Sequence, residues 1–231
     1  MFTGLIREIG RLRSLTPRGG VLRLDIEAEA TARRAGVGDS IAVNGICLTV
    51  TGRQGGVFTV EAAAETRRLT TLRNWRGGDR LHLEPALRAG DPLDGHLVQG
   101  HVDGIGTVAA VRKAGGSLML TVSLPADLAV YLTPKGSVAV DGVSLTVDEG
   151  PFDRAFTVNL IPHTMAGTTL AGLRPGRDVN LEMDVLVKAA RGAGPLRLPG
   201  IAPDPHGGGN APPALTMERL LAKGFGRRRP Q

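Results

Sequence analysis

The sequence predicts a mainly β protein made of two tandem, homologous antiparallel barrels with short helices. Three observations carry this: a whole-domain internal repeat, period-two hydrophobic alternation in short runs, and turn residues every ten or so positions. The segment GDSIAVNGICLTV from Gly38 returns as KGSVAVDGVSLTV from Lys135, 97 residues later. EIGRL from Glu8 is answered by GIGTV from Gly104, AETRRLTTL from Ala64 by PHTMAGTTL from Pro162, and GGDRLHLE from Gly77 by PGRDVNLE from Pro175. Solenoid repeats have periods of roughly 20–50 residues, so this longer period means two copies of one small domain, and two like sites.

Strands follow from the alternating runs. In the first copy these are VLRLDIEA, DSIAVNG, ICLTVTG, GVFTVEA and DRLHLEP; in the second, GTVAAVR, SLMLTVSLP, GSVAVDG, VSLTVDE, FTVNLIP and DVNLEMD. Short helices are predicted at TARRAG, PADLAVYL, ETRRLTTL and TMAGTTL. The domains span 1–95 and 96–188. Residues 189–213 are rich in Gly, Pro and Ala without periodicity and read as a flexible linker. Residues 214–231 hold a helix, with Met217, Leu220, Leu221 and Phe225 on one stripe, and a basic tail. A helix this short is marginal alone, so its stripe wants a partner, either the chain's own barrels or another subunit.

Composition narrows the function. Five Phe, one Tyr and one Trp among 231 residues leave the cores to aliphatic side chains and give a planar ligand few rings to stack on. A single cysteine, Cys47, excludes an internal disulfide and fits a reducing compartment. No run approaches the ~18 apolar residues of a membrane span, and MFTGLIREIG lacks the pattern of a secretory signal, so the cytoplasm is expected and a membrane is not. The net charge of +6 comes from scattered Arg, clustered only at Arg227–Arg229, without aromatic interleaving; nucleic acid is not the expected partner.

The chemistry is sought on the central strand of each copy. In ICLTV, alternation places Ile46, Leu48 and Val50 on one face and Cys47 and Thr49 on the other; in VSLTV, Ser144 and Thr146 oppose Val143, Leu145 and Val147. The small polar pair, beside Gly45 and Gly142, suits a ligand face, and equally an ordinary solvent face. Cys47 lies on the polar face, away from the core, and its reactivity would need a cationic neighbour. His96 and His101, in GHLVQGHVDG, are read as lying on opposite faces of a strand; either suits a proton carrier or a structural hydrogen bond, and their spacing does not suit a metal. Asn44 and Asp141 occupy matching positions. Asp184 exists in one copy only, so any catalytic duty would be asymmetric.

With these motifs in place, the chain resembles riboflavin synthase of the α-chain type. The resemblance rests on MFTGLI at the N-terminus, GDSIAVNGICLTV, DGHLVQGHVDG, KGSVAVDGVSLTV and NLIPHTMAGTTL, and covers residues 1 to about 187 in order. It implies two six-stranded Greek-key barrels with a C-terminal helix. It also implies dismutation of two molecules of 6,7-dimethyl-8-ribityllumazine by four-carbon transfer, giving riboflavin and 5-amino-6-ribitylamino-uracil with no cofactor. A cytoplasmic homotrimer is implied as well, with sites between the N-terminal barrel of one subunit and the C-terminal barrel of the next, and so is association with lumazine synthase. A duplicated domain suits a reaction between two identical molecules, because fixing both face to face removes an entropic barrier of up to ~7–11 kcal/mol.

Carried over by position, the resemblance assigns catalysis to Phe2, Ser40, Cys47, His101 and Asp184. N-barrel substrate contacts fall on Gly4, Leu5, Ile6, Cys47, Leu48, Thr49, Glu61, Ala62, Ala63, Ala64, Glu65 and Thr66. C-barrel contacts fall on Gly100, His101, Val102, Lys135, Ser144, Leu145, Thr146, Ile161, Pro162, His163, Thr164, Met165 and Ala166. His163 departs from the family's usual acidic residue, and the 189–213 insertion is longer than expected. The rival of the same fold is a non-catalytic antenna protein holding lumazine or flavin; a flavin reductase module is more distant, since the chain has no dinucleotide fingerprint.

Overall fold

The computed structural model describes residues 1–150 and 154–192. The first repeat forms a closed six-stranded barrel from β1 (Glu8–Arg18), β2 (Val21–Glu27), β3 (Ser40–Val43), β4 (Ile46–Gln54), β5 (Val57–Ala62) and β6 (Arg80–Pro85), in the order β1-β2-β5-β4-β3-β6. This is a Greek key, with β2 returning beside the end of the β3–β4–β5 meander. The second repeat uses β7 (Gly104–Ala114), β8 (Ser117–Ser123), β9 (Ser137–Val140), β10 (Val143–Thr146), β11 (Ala155–Leu160) and β12 (Asp178–Met183) in the same cyclic order. Its β10–β11 seam closes through one bridge, Val147 to Val158, where β4 and β5 share a ladder from Val50↔Val60 to Gln54↔Val57. β10 is shorter than β4 by five residues.

Period-two alternation fills each core. Ile46, Leu48 and Val50 join Leu24, Ile26, Phe58 and Leu83 in the first; Val143, Leu145 and Val147 join Leu120, Phe156 and Leu181 in the second. β1 was missing from the strands read in the first copy, because its outer half carries Arg13, Pro17 and Arg18; the EIGRL/GIGTV echo was its signal. Both β1 and β7 are bulged, between Leu12 and Ser14 and between Val108 and Ala110, which bends them around the barrel.

Helices α1 (Glu29–Arg34), α2 (Ala64–Leu69), α3 (Ala126–Ala129) and α4 (Pro162–Gly167) lie where the sequence placed them, with 3-10 turns following α2 and α4. A further helix, α5 (Val185–Gly192), occupies residues that the sequence reading gave partly to the linker. The helix expected within 214–231, and the rest of the linker, lie outside the described residues. No described helix is long and apolar enough to cross a membrane.

The two barrels meet at their β3–β4 and β9–β10 hairpin turns. Asn44-Gly45 and Asp141-Gly142 both take positive φ, 45° and 77° in the first and 46° and 77° in the second, as a two-residue hairpin turn requires. A Cβ on Gly45 would lie 2.7 Å from the Gly142 nitrogen, so only glycine lets the turns stack. Cross-bonds flank them. His82 Nδ1–H donates to the Asp141 carbonyl at 2.9 Å, while its Nε2 accepts the Thr169 N–H at 2.8 Å. At the matching position, Asn180 Nδ2 donates to the Asn44 carbonyl, and its Oδ1 accepts the Thr71 N–H, both at 2.8 Å. An imidazole and a carboxamide thus serve one role, each with one donor and one acceptor.

Burial sets the protonation of this interface. His82 is pushed down to about 4, chiefly by desolvation, and stays neutral, as its two bonds require. Desolvation pushes Asp141 up to about 7 although its Oδ1 accepts the Asn180 N–H at 2.8 Å. The two act in opposite senses: acidification from about 6.5 toward 4 charges His82 more readily in the unfolded chain and destabilises the fold, while over the same range it relieves the penalty of ionised Asp141. Asn44 already shows that an amide can fill this position, its Oδ1 accepting the His82 N–H at 2.7 Å. Asp141→Asn is therefore expected to stabilise the protein at pH 8 by on the order of 2 kcal/mol, and to expose a decline below pH 6.5 that opposing titrations flatten in the parent. Urea unfolding at pH 8, 6 and 4 measures both effects.

Candidate functional site

Each repeat presents a small polar floor on the outer face of its central hairpin. In the first, Ser40 pairs with Thr49 and Ala42 with Cys47 across β3–β4; in the second, Ser137 pairs with Thr146 and Ala139 with Ser144 across β9–β10. Cys47 and Ser144 are half-buried, while Thr49 and Thr146 are exposed. Leu48 and Leu145 turn inward, leaving only their backbone on the floor.

What covers each floor comes from the other repeat. The leading segment of the first barrel crosses to the second, where the Gly4 carbonyl accepts the Ser144 N–H at 2.8 Å; the leading segment of the second crosses back, and the Gly100 carbonyl accepts the Cys47 N–H at 2.9 Å. A Cβ on Gly4 would meet Ser144 Cβ at 2.6 Å, and one on Gly100 would meet Cys47 Cβ at 2.6 Å. The straps pair with each other at the centre through Phe2 and Val98. Ile6 consequently packs on the second core and Val102 on the first. This corrects the grouping expected from sequence. Gly4, Leu5 and Ile6 belong with Ser144, Leu145 and Thr146, whereas Gly100, His101 and Val102 belong with Cys47, Leu48 and Thr49.

Two buried carboxylates hold the crossing. Glu84 accepts the Thr3 N–H and hydroxyl, both at 2.7 Å, and the Gly4 N–H at 2.9 Å. Glu182 accepts the Gln99 and Gly100 N–H groups at 2.6 and 2.9 Å. Burial raises both acids, Glu182 to about 7, against the pull of the bonds they accept. The repeated HLE and NLE strands carried this signal, but alternation alone reads an outward glutamate as solvent-facing. Its burial becomes visible only once the straps are in place.

His96 and His101 do not lie on a strand, as the sequence reading had them; both sit in the irregular strap that precedes β7. His101 is exposed beside Gly100. His96 is buried, with Nδ1 2.7 Å from Ser144 Oγ and its backbone N–H on the Thr3 carbonyl. Desolvation lowers its pKa, partly countered by Asp184. Its Nε2 is the one buried side-chain polar atom without a partner among the described residues.

The other candidates fall around these floors. Phe2 is fully buried between the barrels with Ala42, Ala139 and Val98. Ser40 borders a cavity of about 1020 Å³ shared with Arg7, Arg34 and Glu84. Glu61 is exposed on β5, and Ala62 turns into the first core. Ala63 to Thr66 form the start of α2, where Glu65 pairs with Arg68 on the surface. In the second repeat Ile161, Pro162, His163 and Ala166 are exposed on α4, Thr164 accepts the Thr168 hydroxyl, and Met165 packs on the core. Lys135 holds φ +64° where the first copy has Gly38, a strained conformation for a side-chain-bearing residue, and its ammonium pairs with Asp148 at 2.6 Å. Asp184 caps α5 through the Leu186 N–H.

If the straps are fixed by close backbone approach, Gly100→Ala should lift the second strap from Cys47. The expected result is Cys47 thiol labelling at least several-fold faster than in the parent, with Gly4→Ala leaving the Cys47 rate nearly unchanged; a thiol-reactive chromophore measures it.

The lumazine binding domain family matches this chain twice, over residues 3–86 and 99–184, one match per barrel. Riboflavin synthase from Brucella abortus is 40% identical over 195 residues, spanning 82% of this chain and 96% of that protein. Riboflavin synthase from Mycobacterium tuberculosis is 42% identical over 191 residues, spanning 81% and 95%, and that from Bacillus subtilis 38% over 188, spanning 81% and 87%. Among solved structures, LumP complexed with riboflavin superposes with a TM-score of 0.73 at 24% identity, and LumP complexed with 6,7-dimethyl-8-(1'-D-ribityl) lumazine with 0.71 at 23%, each covering 79% of this chain and 99% of LumP. Those likenesses establish the fold. With two repeats matched and sequence identity sustained across both barrels, the chain belongs to the riboflavin synthase family and is an enzyme of the transferase class.

Proposed function

We propose that the protein is a riboflavin synthase that binds one 6,7-dimethyl-8-ribityllumazine on each floor and transfers a four-carbon unit between them, releasing riboflavin and 5-amino-6-ribitylamino-uracil. The observation that carries this reading is the doubled site: a Cys47/Thr49 floor and a Ser144/Thr146 floor, each covered by a glycine strap from the other repeat. A dismutation needs two like pockets, and the two products together contain the atoms of two substrates, so no oxidant or reductant is required.

Cys47, Thr49 and Ser40 hold the ring system of one molecule, and Ser144 and Thr146 that of the other. The C7 methyl of the lumazine is acidic because its anion delocalises into the ring, so a modest base and well-placed donors suffice. His101 and Ser40 serve proton transfer or activate the group that adds at C7. His96, bonded to Ser144, handles protons at the second floor, and a ligand atom reaching its Nε2 would relieve a buried unpaired group that costs about 1–3 kcal/mol. Asp184 sustains the basicity of His96, and Phe2 props the straps without touching substrate. The segments Glu61–Thr66 and Ile161–Ala166, with Lys135, form the rims.

The working form is a cytoplasmic homotrimer with each reaction centre between neighbouring subunits, in association with lumazine synthase. Sedimentation velocity giving three chains per particle supports the trimer; a monomer that turns over at full rate removes it.

Lumazine alone, added to the purified protein without cofactor, is expected to yield riboflavin absorbance. Cys47→Ala, His101→Ala and His96→Gln should each lower turnover at least tenfold while the melting transition persists. Tight lumazine binding without turnover would instead identify a binding protein of the same fold.

A further inference from the structure

The two straps are fastened differently. In the first repeat Arg7, whose N–H donates to the Leu83 carbonyl, supplies the cation that acts on Glu84. Asp103 holds the matching position in the second repeat, its N–H on the Leu181 carbonyl, so an acid stands where the first copy has a base. The missing cation comes from outside the repeat. Lys188, on α5, places its Nζ 2.9 Å from both oxygens of Asp103, with the two side chains only 23% and 22% exposed. Asp103 also accepts the Met183 N–H at 2.7 Å, next to Glu182. It directly follows Val102, so the ammonium, Asp103, Glu182 and the strap form one connected unit.

We propose that Lys188 is a positioning residue for the N-barrel site: acting through Asp103 and Glu182, it pins the Gly100–Val102 strap over Cys47. The part about catalysis rests on the synthase reading; the part about the strap does not.

The charged groups acting on Glu182 are Lys188 on α5 and Asp103 ahead of β7, while β9, paired across from it, presents Ala139. The ionised carboxylate accepts both the Gln99 and Gly100 N–H groups, an arrangement a protonated carboxyl holds less well. Lys188 favours the ionised form and Asp103 opposes it. Removing the ammonium leaves two neighbouring carboxylates without a cation, so Glu182 takes up its proton at a higher pH, and the strap loosens at a higher pH with it. The first strap, served by Arg7, is unaffected.

The test compares Lys188→Met, which keeps most of the aliphatic stem, with Lys188→Arg, by amide hydrogen exchange of the ligand-free protein between pH 5.5 and 8.5. The Gln99 and Gly100 amides of Lys188→Met are expected to exchange faster than the parent's, by no more than about twofold at pH 7, where the parent's Glu182 is already half protonated, and by a gap that widens to several-fold at pH 8.5, while Lys188→Arg matches the parent. The Thr3 and Gly4 amides, held by Glu84, are the internal control and should not change. Parent-like exchange at Gln99 and Gly100 in Lys188→Met overturns the proposal, and so does faster exchange that Thr3 and Gly4 share. In the same variants the acid limb of the turnover profile should move to higher pH with Lys188→Met and return with Lys188→Arg. If the parent shows no turnover, the synthase reading fails while the exchange experiment still decides the strap.

Discussion

The stacking of two hairpin turns governs the molecule. Gly45 and Gly142 bring backbone to within a distance that no Cβ could share, and this sets the local two-fold-like relation of the barrels. His82 and Asn180 then bond across the contact, each satisfying a carbonyl and an N–H of the other repeat. Because the turns join the strands that bear Cys47 and Ser144, the same contact places the two floors. It also brings each leading segment within reach of the other barrel's floor, so that neither site is complete within its own repeat.

Duplication supplied the symmetry, and divergence has since unbalanced it. Asn44 corresponds to Asp141 and Arg7 to Asp103, pairs that keep their backbone bonding while changing charge, and neutral His82 corresponds to the neutral amide of Asn180. The rims diverge too: α2 carries the Glu65–Arg68 ion pair where α4 has His163 and Ala166. The floors changed least, with Thr49 matched by Thr146 and Cys47 by Ser144. The two polar floors are thus alike in residues and unlike in electrostatic surroundings.

Some of this was legible from residue order. Alternation in ICLTV and VSLTV separated core from floor, and the alternating runs located every strand but β1, whose own pattern is weak and whose only signal was the EIGRL/GIGTV echo. The straps were not legible. GHLVQGHVDG reads locally as a strand, and nothing within it reveals that its carbonyls serve Cys47 while Glu182, more than eighty residues on, holds its amides. His96 looked like an equal of His101 until the fold put one against Ser144 and left the other at the surface.

The amino-acid order by itself determined the duplication, the barrel cores, the polar floors and the family, because periodicity and repeated motifs are local properties of the chain. Tertiary structure alone decided which strap covers which floor, why Glu84 and Glu182 are buried, and that Lys188 on α5 belongs to the second strap. Those outcomes depend on contacts between residues more than fifty positions apart, whose partners exist only after the two barrels have closed and their turns have met.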